Sequence, residues 1–331
     1  MSEKFAVLGD GAWGTAIALL LAQDPAHRVC LWSAFPENAQ ILREKRENTR
    51  LLPGVPIPLN IELTSDPAYA LAQARLAIAA IPTVYLRQTL ARFRGLWPAD
   101  LPALSLAKGL EIDTFQRPTQ ILHDVLKLDH LAALSGPSHA EEVSRGRPTS
   151  VVVASADEEL ARRVQTDFST DRFRVYTNPD VIGVELGGAL KNVIGIAAGI
   201  CDGLNFGDNA KSALLTRALV EMARFGVALG ADHETFFGLA GLGDLITTCE
   251  SPHGRNRRVG ERLGCGEKLA DILHSTRQVA EGVYTARSVH SRSEAMGIEL
   301  PIMAEVYRVL YEDKPPLAAV SALMLRSPKK E

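Results

Sequence analysis

Apolar and polar positions along the first half of the chain predict a repeating order of short strands and amphipathic helices. The strands are predicted over residues 4–8, 29–32, 76–80, 103–106, 132–134, 150–154 and 173–176. The helices are predicted over residues 13–23, 38–47, 84–93, 120–126 and 157–168, and the proline-rich residues 52–58 are predicted to form a loop. Strands that alternate with helices are typical of βαβ units. We therefore expect an α/β domain built on a doubly wound parallel sheet.

The pattern changes after Asn178 and Pro179, where strand-like runs stop and long helical patterns begin. Asp180 is suited to cap a helix over residues 181–200. Further helices are predicted over residues 209–229, 283–296, 301–311 and 316–325, with glycine-rich loops around 238–243 and 264–266. We expect the α/β domain over residues 1–179, an all-α domain over residues 180–326 and a flexible tail over residues 327–331.

Length and composition are those of an ordinary folded protein. The 331 residues suffice for two domains, and 46% apolar with 23% charged residues is typical of globular chains. The formal charge of −3 provides no general attraction to nucleic acid or to anionic membranes. We therefore expect neither as a partner, and an anionic ligand would need a local basic cluster.

Cysteine spacing and the N-terminal residues argue against further classes of protein, namely disulfide-rich, secreted and membrane proteins. Cys30, Cys201, Cys249 and Cys265 form no C-x-x-C pair, which argues against a disulfide framework and against a cysteine-built metal site. The N-terminal apolar run is too short for a signal peptide, and no window approaches the roughly 18 apolar residues of a membrane helix. We expect a cytoplasmic protein without a metal.

Gly9-Asp10-Gly11-Ala12-Trp13-Gly14 follows the first predicted strand and opens the first predicted helix. A G-x-G-x-x-G motif in this setting indicates a dinucleotide pyrophosphate site. Gly9 allows the tight turn, Gly11 lets phosphate approach the backbone, and Gly14 lets the helix pack against the strand. The free N–H groups and partial positive charge of the helix N-terminus favour the anion.

The residue after the second strand normally separates NAD from NADP, because an acidic residue there binds the ribose hydroxyls and an arginine favours the 2′-phosphate. Here that residue is Ser33, which is neither. Arg43, Lys45 and Arg46 follow, but a solvated helix face is the favoured interpretation for them. The choice between NAD and NADP stays open.

Two loops at the expected ligand-binding edge of the sheet carry polar groups. Lys108 directly follows a predicted strand. It either binds an oxygen of the substrate or is an ordinary surface lysine. The segment Ser135-Gly136-Pro137-Ser138 closes the next strand in the same way, and we expect it in the wall of the cofactor site.

In the helical half, Lys191 has small and apolar neighbours within Gly187-Gly188-Ala189-Leu190-Lys191-Asn192. A desolvated lysine has a lowered pKa and can exchange a proton with a carbonyl or alcohol oxygen. The alternative is a lysine that extends from its helix to solvent. Asp244, in a glycine-rich stretch, could orient the lysine or a substrate hydroxyl, or only cap the next helix.

Arg255-Asn256-Arg257-Arg258 is a dense local basic cluster. Arginine binds phosphate through two parallel hydrogen bonds, and asparagine adds neutral donors. Taken alone, such a run also fits a solvated surface. The segment 278–282 (QVAEG) suggests no chemistry by its spacing.

Together these motifs resemble those of the bacterial NAD(P)-dependent glycerol-3-phosphate dehydrogenases. The resemblance covers nearly the whole chain, and one motif would be weak whereas seven in the family's order are specific. They are GDGAWGTA at 9–16, AKGL at 107–110, SGP at 135–137, NPD at 178–180, GGALKN at 187–192, GLAGLGDL at 238–245 and RNR at 255–257.

The resemblance implies a Rossmann domain joined to a helical domain like the C-terminal domain of 6-phosphogluconate dehydrogenase, with the substrate between them. It implies that Lys191 is the general acid/base and that Lys108 and Asp244 belong to the same catalytic site. The implied substrate-binding residues are Lys108, Gly136, Ser138, Lys191, Asp244, Gly254, Arg255 and Asn256. The expected cofactor-binding residues are Gly9, Gly11, Ala12, Trp13, Gly14, Ser33, Lys108, Ala140, Arg255, Val279 and Glu281.

Four positions depart from the family pattern. Gly254 replaces a common serine, which removes one hydroxyl contact to phosphate. His139 stands where an aromatic such as phenylalanine is common, and Ser138 replaces a frequent threonine. Ser33 occupies a position that helps to define the adenosine pocket in other members.

The implied reaction is reversible hydride transfer from NADH or NADPH to dihydroxyacetone phosphate, which yields sn-glycerol 3-phosphate for phospholipid synthesis. A β-hydroxyacid or 6-phosphogluconate-type dehydrogenase is the nearest alternative. Those enzymes usually place an asparagine four residues after the lysine, where this chain has Gly195, whereas Asn192 is adjacent. A dinucleotide-binding redox sensor without turnover is a second alternative. We expect a homodimer on base rates.

Overall fold

The structure is a computed structural model that describes residues 3–275, 279–328 and 330. In these residues eight strands form one sheet in the order β3-β2-β1-β4-β5-β6-β7-β8. They are β1 (Glu3–Leu8), β2 (His27–Trp32), β3 (Ile61–Thr64), β4 (Ala74–Ala79), β5 (Ala103–Ser105), β6 (Leu131–Ser135), β7 (Thr149–Ser155) and β8 (Phe173–Asn178). The seven predicted strands are all present, and β3 was not predicted.

The sheet is parallel from β3 to β6, but β7 pairs antiparallel with β6 and parallel with β8. The prediction of a wholly parallel sheet is therefore wrong at this edge. A parallel return needs a connection long enough to cross back over the sheet. The connection from Ser135 to Thr149 contains only a four-residue helix, Ala140–Val143. The chain therefore reverses direction at the end of β6 and does not cross back over the sheet.

Within the described residues up to 178, seven helices accompany the strands. They are α1 (Ala12–Leu21), α2 (Pro36–Lys45), α3 (Pro67–Leu71), α4 (Thr83–Leu90), α5 (Pro118–Leu126), α6 (Ala140–Val143) and α7 (Glu158–Phe168), with a 3-10 turn at Ala91–Phe93. The short helices α3 and α6 were not predicted, because helices of one turn carry no periodic pattern. Residues 52–58 are largely loop, as predicted.

Alternate residues of the central strands β1, β2, β4, β5 and β6 enter two different cores, one on each face of the sheet. In β1, Phe5 and Val7 belong to one apolar cluster, and Ala6 and Leu8 belong to the other. Because both faces of these strands are buried, their sequences are continuous apolar runs. This confirms the doubly wound arrangement.

After β8 the described chain is helical. The helices are α8 (Val181–Gly203), α9 (Gly207–Ala228), α10 (Asp244–Glu250), α11 (Arg255–Gly264), α12 (Leu269–Ser275), α13 (Glu281–Met296), α14 (Pro301–Tyr311) and α15 (Pro316–Met324). The predicted cap is confirmed, because the Asp180 carboxylate accepts a hydrogen bond from the Gly183 N–H at 2.8 Å. Of the tail predicted to be flexible, Lys329 and Glu331 lie outside the described residues.

The prediction of a loop around 238–243 is wrong, because Leu239–Gly243 forms a π-helical turn that leads directly into α10. The turn packs closely on the preceding segment, since a Cβ at Gly241 would lie 2.0 Å from the Phe236 carbonyl oxygen. Glycine content indicated a loop, whereas here glycine permits close packing. Helices α10, α11 and α12 were not predicted, although residues 265–266 do form a turn.

Helix α8 is the axis of the helical domain, and residues 183–201 are buried along its length. By length and composition this helix could cross a membrane, contrary to our expectation that no such window exists, but 89% of that window is buried inside the protein. Neighbouring helices surround it, and α11 packs closely along one side. The helix therefore carries its polar residues Lys191 and Asn192 into the interior.

Candidate active site

The glycine motif forms the turn between β1 and α1. Gly9 has φ +120°, and a Cβ there would lie 2.5 Å from the Ala80 carbonyl oxygen. A Cβ at Gly14 would lie 2.0 Å from the Gly9 carbonyl oxygen, whereas a Cβ at Gly11 meets nothing within 4 Å. Gly9 and Gly14 thus serve packing, and the space in front of Gly11 is open. The turn fits a phosphate group, because α1 begins there without a side-chain cap.

One pocket of about 250 Å³ runs from this turn to the helical domain. Its walls come from both halves of the chain. It is lined by 14 of the predicted site residues, namely Gly11, Ala12, Trp13, Gly14, Lys108, Ser138, Ala140, Lys191, Asp244, Gly254, Arg255, Asn256, Val279 and Glu281. Gly9, Ser33 and Gly136 lie outside the lining.

Two lysines from different domains share one carboxylate in this pocket. Asp244 begins α10, and its Oδ1 lies 2.8 Å from Nζ of Lys191 on α8. Its Oδ2 lies 2.8 Å from Nζ of Lys108, which follows β5. Lys108 also donates to the Gly136 carbonyl oxygen at 2.8 Å, which gives Gly136 an indirect place at the site. The carboxylate thus fixes both ammonium groups on one side of the pocket.

Burial and the attraction between opposite charges shift the pKa values of Asp244 and Lys191 in opposite directions. Burial alone would raise the pKa of Asp244, but Lys108 and Lys191 hold that pKa below its ordinary value. Burial lowers the pKa of Lys191 to about 8, although the attraction of Asp244 opposes this. The repulsion from Lys108 adds to the lowering. Lys191 is therefore a group that can both give and accept a proton near neutral pH.

Thr248 is a site residue that the sequence reasoning missed. Nζ of Lys191 donates to its Oγ1 at 2.6 Å, so the lysine is held from two sides. Thr248 lies one helical turn after Asp244 on α10. The spacing of four residues would have identified it, had this helix been predicted.

Two asparagines connect the loop that carries Lys108 to the first turn of α13. Asn192 Nδ2 donates to the Lys108 carbonyl oxygen at 2.8 Å, and Asn256 Nδ2 donates to Asn192 Oδ1 at 2.8 Å. The Gly282 N–H donates to Asn256 Oδ1 at 3.0 Å. Asn192 thus joins the loop of Lys108 to Asn256 on α11. A Cβ at Gly195 would lie 2.8 Å from a methyl carbon of Thr248, so this packing excludes an asparagine four residues after Lys191.

The basic run at the start of α11 does not form one cluster. Arg255 lines the pocket, and its Nη1 donates to the Val279 carbonyl oxygen at 3.3 Å. Arg257 faces away and pairs with Asp202 at 2.6 Å. The helical twist therefore separates Arg255 and Asn256, which line the pocket, from Arg257, which supports the fold.

Further residues line the same pocket. Glu281 Oε1 accepts the Thr83 N–H at 2.7 Å, which joins α13 to the start of α4 across the domains. Ser138 Oγ donates to the Gly136 carbonyl oxygen at 2.9 Å, close to Lys108. His139 and His253 also line the pocket, with ring centroids 5.9 Å apart. The neighbouring residue Gln278 lies outside the described residues.

A glycine turn on a Rossmann sheet, joined by one pocket to a buried lysine and carboxylate, defines a two-domain dinucleotide-dependent dehydrogenase. Comparisons with known proteins give the family. The profile of the NAD-dependent glycerol-3-phosphate dehydrogenase N-terminus matches residues 4–161, and that of the C-terminus matches residues 180–321. The chain belongs to the NAD-dependent glycerol-3-phosphate dehydrogenase family.

Similar full-length proteins carry the same family name. The chain is 47% identical over 331 residues to glycerol-3-phosphate dehydrogenase [NAD(P)+] of Chlorobium phaeobacteroides (strain BS1), with 99% of each chain covered. It is 49% identical over 326 residues to that of Moorella thermoacetica, with 98% of this chain and 97% of the relative covered. The crystal structure of glycerol-3-phosphate dehydrogenase from Coxiella burnetii has a TM-score of 0.95 at 36% identity, covering 98% of this chain and 99% of that one.

These comparisons confirm the family resemblance, the fold class and the expectation of an NAD(P)-dependent oxidoreductase that acts on a small molecule. The two alternatives, a 6-phosphogluconate-type enzyme and a redox sensor, are not favoured by any of them.

Proposed function

We propose that Lys191 is the general acid/base for the reversible reduction of dihydroxyacetone phosphate to sn-glycerol 3-phosphate in this pocket. One observation carries the assignment. The ammonium group of Lys191 is buried in the same pocket as the glycine turn, between Asp244 and Thr248, and its pKa is lowered to about 8. A proton donor that reacts near neutral pH needs such a pKa.

The residues at the turn fit a nicotinamide dinucleotide. Gly11 leaves open space at the N-terminus of α1, where backbone N–H groups can bind a pyrophosphate. When bound, the reduced dinucleotide supplies the hydride. The direct cofactor contacts remain our proposal and comprise Gly9, Gly11, Ala12, Trp13, Gly14, Lys108, Ala140, Arg255, Val279 and Glu281. Ser33, expected from the sequence to contact the cofactor, is buried and bonds to Asp10 instead.

Lys191 completes the reduction at oxygen. As the carbonyl carbon receives hydride, its oxygen gains negative charge and takes a proton from Lys191 Nζ. The lysine is left as a neutral amine and recovers a proton from solvent. In the reverse direction the neutral amine removes the hydroxyl proton of glycerol 3-phosphate. Thr248 and Asp244 keep Nζ in place in both directions.

Lys108 and Asp244 prepare the charge around the reacting oxygen. We assign to Lys108 a contact with the same substrate oxygen, because its ammonium group shares the Asp244 carboxylate with Lys191. Without that carboxylate, two buried ammonium groups would repel each other. Asp244 therefore acts by holding both lysines rather than by reacting itself.

The phosphate of the substrate is assigned to Arg255 and Asn256. Both line the pocket, and Arg255 presents a guanidinium group without a carboxylate partner among the contacts of the described residues. Anchoring the distant phosphate lets its binding energy orient the carbonyl. Ser138, Gly136 and Gly254 complete the proposed substrate contacts.

We further propose a cytoplasmic homodimer with domains at 1–179 and 180–326. An apolar groove between α9, α14 and α15 supports the dimer, since Met324 and Leu325 beside it are 79% and 85% exposed. Exposed apolar patches of this kind commonly mark subunit contacts.

The test is the oxidation of NADH and of NADPH with dihydroxyacetone phosphate, by the wild-type protein and by Lys191→Ala. We expect turnover by the wild type, and loss of turnover with retained cofactor binding in Lys191→Ala. Lys211→Ala is the matched control, because Lys211 is also an ion-paired, largely buried lysine of the helical domain, 2.8 Å from Asp202 and outside the pocket. Full activity of Lys191→Ala would contradict the assignment.

A further inference from the structure

The residues that follow β1 and β2 lie side by side. Leu8 and Trp32 are register partners at the ends of these strands, and the Gly9 N–H donates to the Trp32 carbonyl oxygen at 2.9 Å. Asp10 and Ser33 come next on each chain segment. In dinucleotide-binding folds, the position just after β2 faces the adenosine ribose and separates NAD from NADP.

Ser33 itself is not available to a ligand. It is 1% exposed, its Oγ donates to Asp10 Oδ2 at 2.8 Å, and the same Oγ accepts the Phe35 N–H at 3.2 Å. The hydroxyl therefore serves to hold the Asp10 carboxylate at the end of β2. A carboxylate occupies this place, although it comes from the glycine turn and not from β2.

We propose that Asp10 is the specificity residue that selects NADH over NADPH. This inference rests on the proposed cofactor site. The free lone pairs of the carboxylate accept hydrogen bonds from the ribose hydroxyl groups. A 2′-phosphate at the same place would bring its negative charge against the carboxylate.

Two features around Asp10 bear on this assignment, namely its pKa and the contacts of the nearby arginines. Burial raises the pKa of Asp10 above its ordinary value, and hydrogen bonds from Ser33 and Asn38 and the charge of Arg50 offset this increase only in part. Three arginines near this edge are held by backbone carbonyl groups: Arg43 by Leu63, Arg46 by Ile57 and Arg92 by Ala34. Arg50 is exposed and is the rival, because it could bind a 2′-phosphate instead.

The test compares binding of ADP-ribose with binding of 2′-phospho-ADP-ribose by calorimetry, together with kcat/KM for NADH and NADPH. We expect the wild type to favour the ligands without the 2′-phosphate by about tenfold or more. Asp10→Asn keeps an acceptor oxygen but removes the charge, so it should raise kcat/KM for NADPH relative to NADH by about tenfold. Asp10→Ala should weaken NADH by about tenfold.

Asp171→Asn is the matched control, because Asp171 is an 84% exposed carboxylate just before β8 at the far edge of the sheet. It should leave the NADH/NADPH ratio unchanged. Arg50→Ala tests the rival, and a wild type that prefers NADPH and loses this preference in Arg50→Ala would overturn the proposal. An unchanged ratio in both Asp10 variants would overturn it as well. The binding measurements need no turnover, so failure of the proposed reaction is distinguishable from failure of this inference.

Discussion

Lys191 and Asp244 form a buried ion pair in which Nζ lies 2.8 Å from Oδ1, and the two side chains are 9% and 3% exposed. They are far apart in sequence, and α8 and α10 bring them together. Because Asp244 also binds Lys108, this pair connects the two domains at the site that we propose for proton exchange.

The pKa of Lys191 predicts opposite pH profiles for the two directions of the reaction. Reduction needs the ammonium form, so its kcat should fall as the pH rises through about 8. Oxidation needs the neutral amine, so its kcat should rise over the same range. Steady-state rates at saturating substrate in both directions test this, and profiles that are flat between pH 6 and 10 in both directions would contradict the role of Lys191.

Asp244→Asn should lower kcat by about 100-fold or more and shift the pH profile of reduction to lower pH. The carboxylate raises the pKa of Lys191, so its removal lets burial and Lys108 lower that pKa further. The measurement is the pH profile of kcat. Asp202→Asn is the matched control, since Asp202 also binds two cations, Lys211 and Arg257, but lies outside the pocket. We expect it to lower thermal stability without moving the profile.

Arg255→Ala should raise KM for dihydroxyacetone phosphate by about 100-fold, because a charge-assisted bidentate contact to phosphate is lost. The rate with dihydroxyacetone, which lacks the phosphate, should change far less. Arg257→Ala is a neighbouring control whose side chain pairs with Asp202. Its expected effect is a lower Tm with little change of KM. Equal KM effects in both variants would reject the phosphate role of Arg255.

Gly11→Ala and Gly14→Ala should separate ligand binding from folding. A Cβ at Gly11 meets no atom within 4 Å, so we expect a Tm within about 3 °C of the wild type and cofactor binding weakened by about tenfold or more. A Cβ at Gly14 would lie 2.0 Å from the Gly9 carbonyl oxygen, so this variant should be clearly destabilised. Calorimetric unfolding and cofactor titration of both variants check this, and tight binding by Gly11→Ala would contradict the proposed pyrophosphate site.

Long elements were predictable, because each has enough residues for its period to appear. The helix Pro301–Tyr311 agrees with its predicted bounds, and the helix after Asp180 was predicted with its cap. The π-helical turn Leu239–Gly243 was not predictable, because its glycines are explained only by the segments packed against them. The reversed direction of β7 likewise depends on the path of the connection and leaves no trace in the strand's own residues.

The sequence by itself determined the two-domain α/β and helical organisation, the dinucleotide motif at residues 9–14 and the candidate residues Lys108, Lys191, Asp244, Arg255 and Asn256. Only the tertiary structure decided that one carboxylate serves both lysines, that Thr248 holds Lys191, that Arg257 lies apart from Arg255, and that Ser33 presents Asp10. The physical reason is the separation in sequence over which each kind of interaction acts. Periodicity and turn chemistry act between near neighbours in the chain, whereas these contacts join residues far apart in sequence and exist only once helices and strands have packed together.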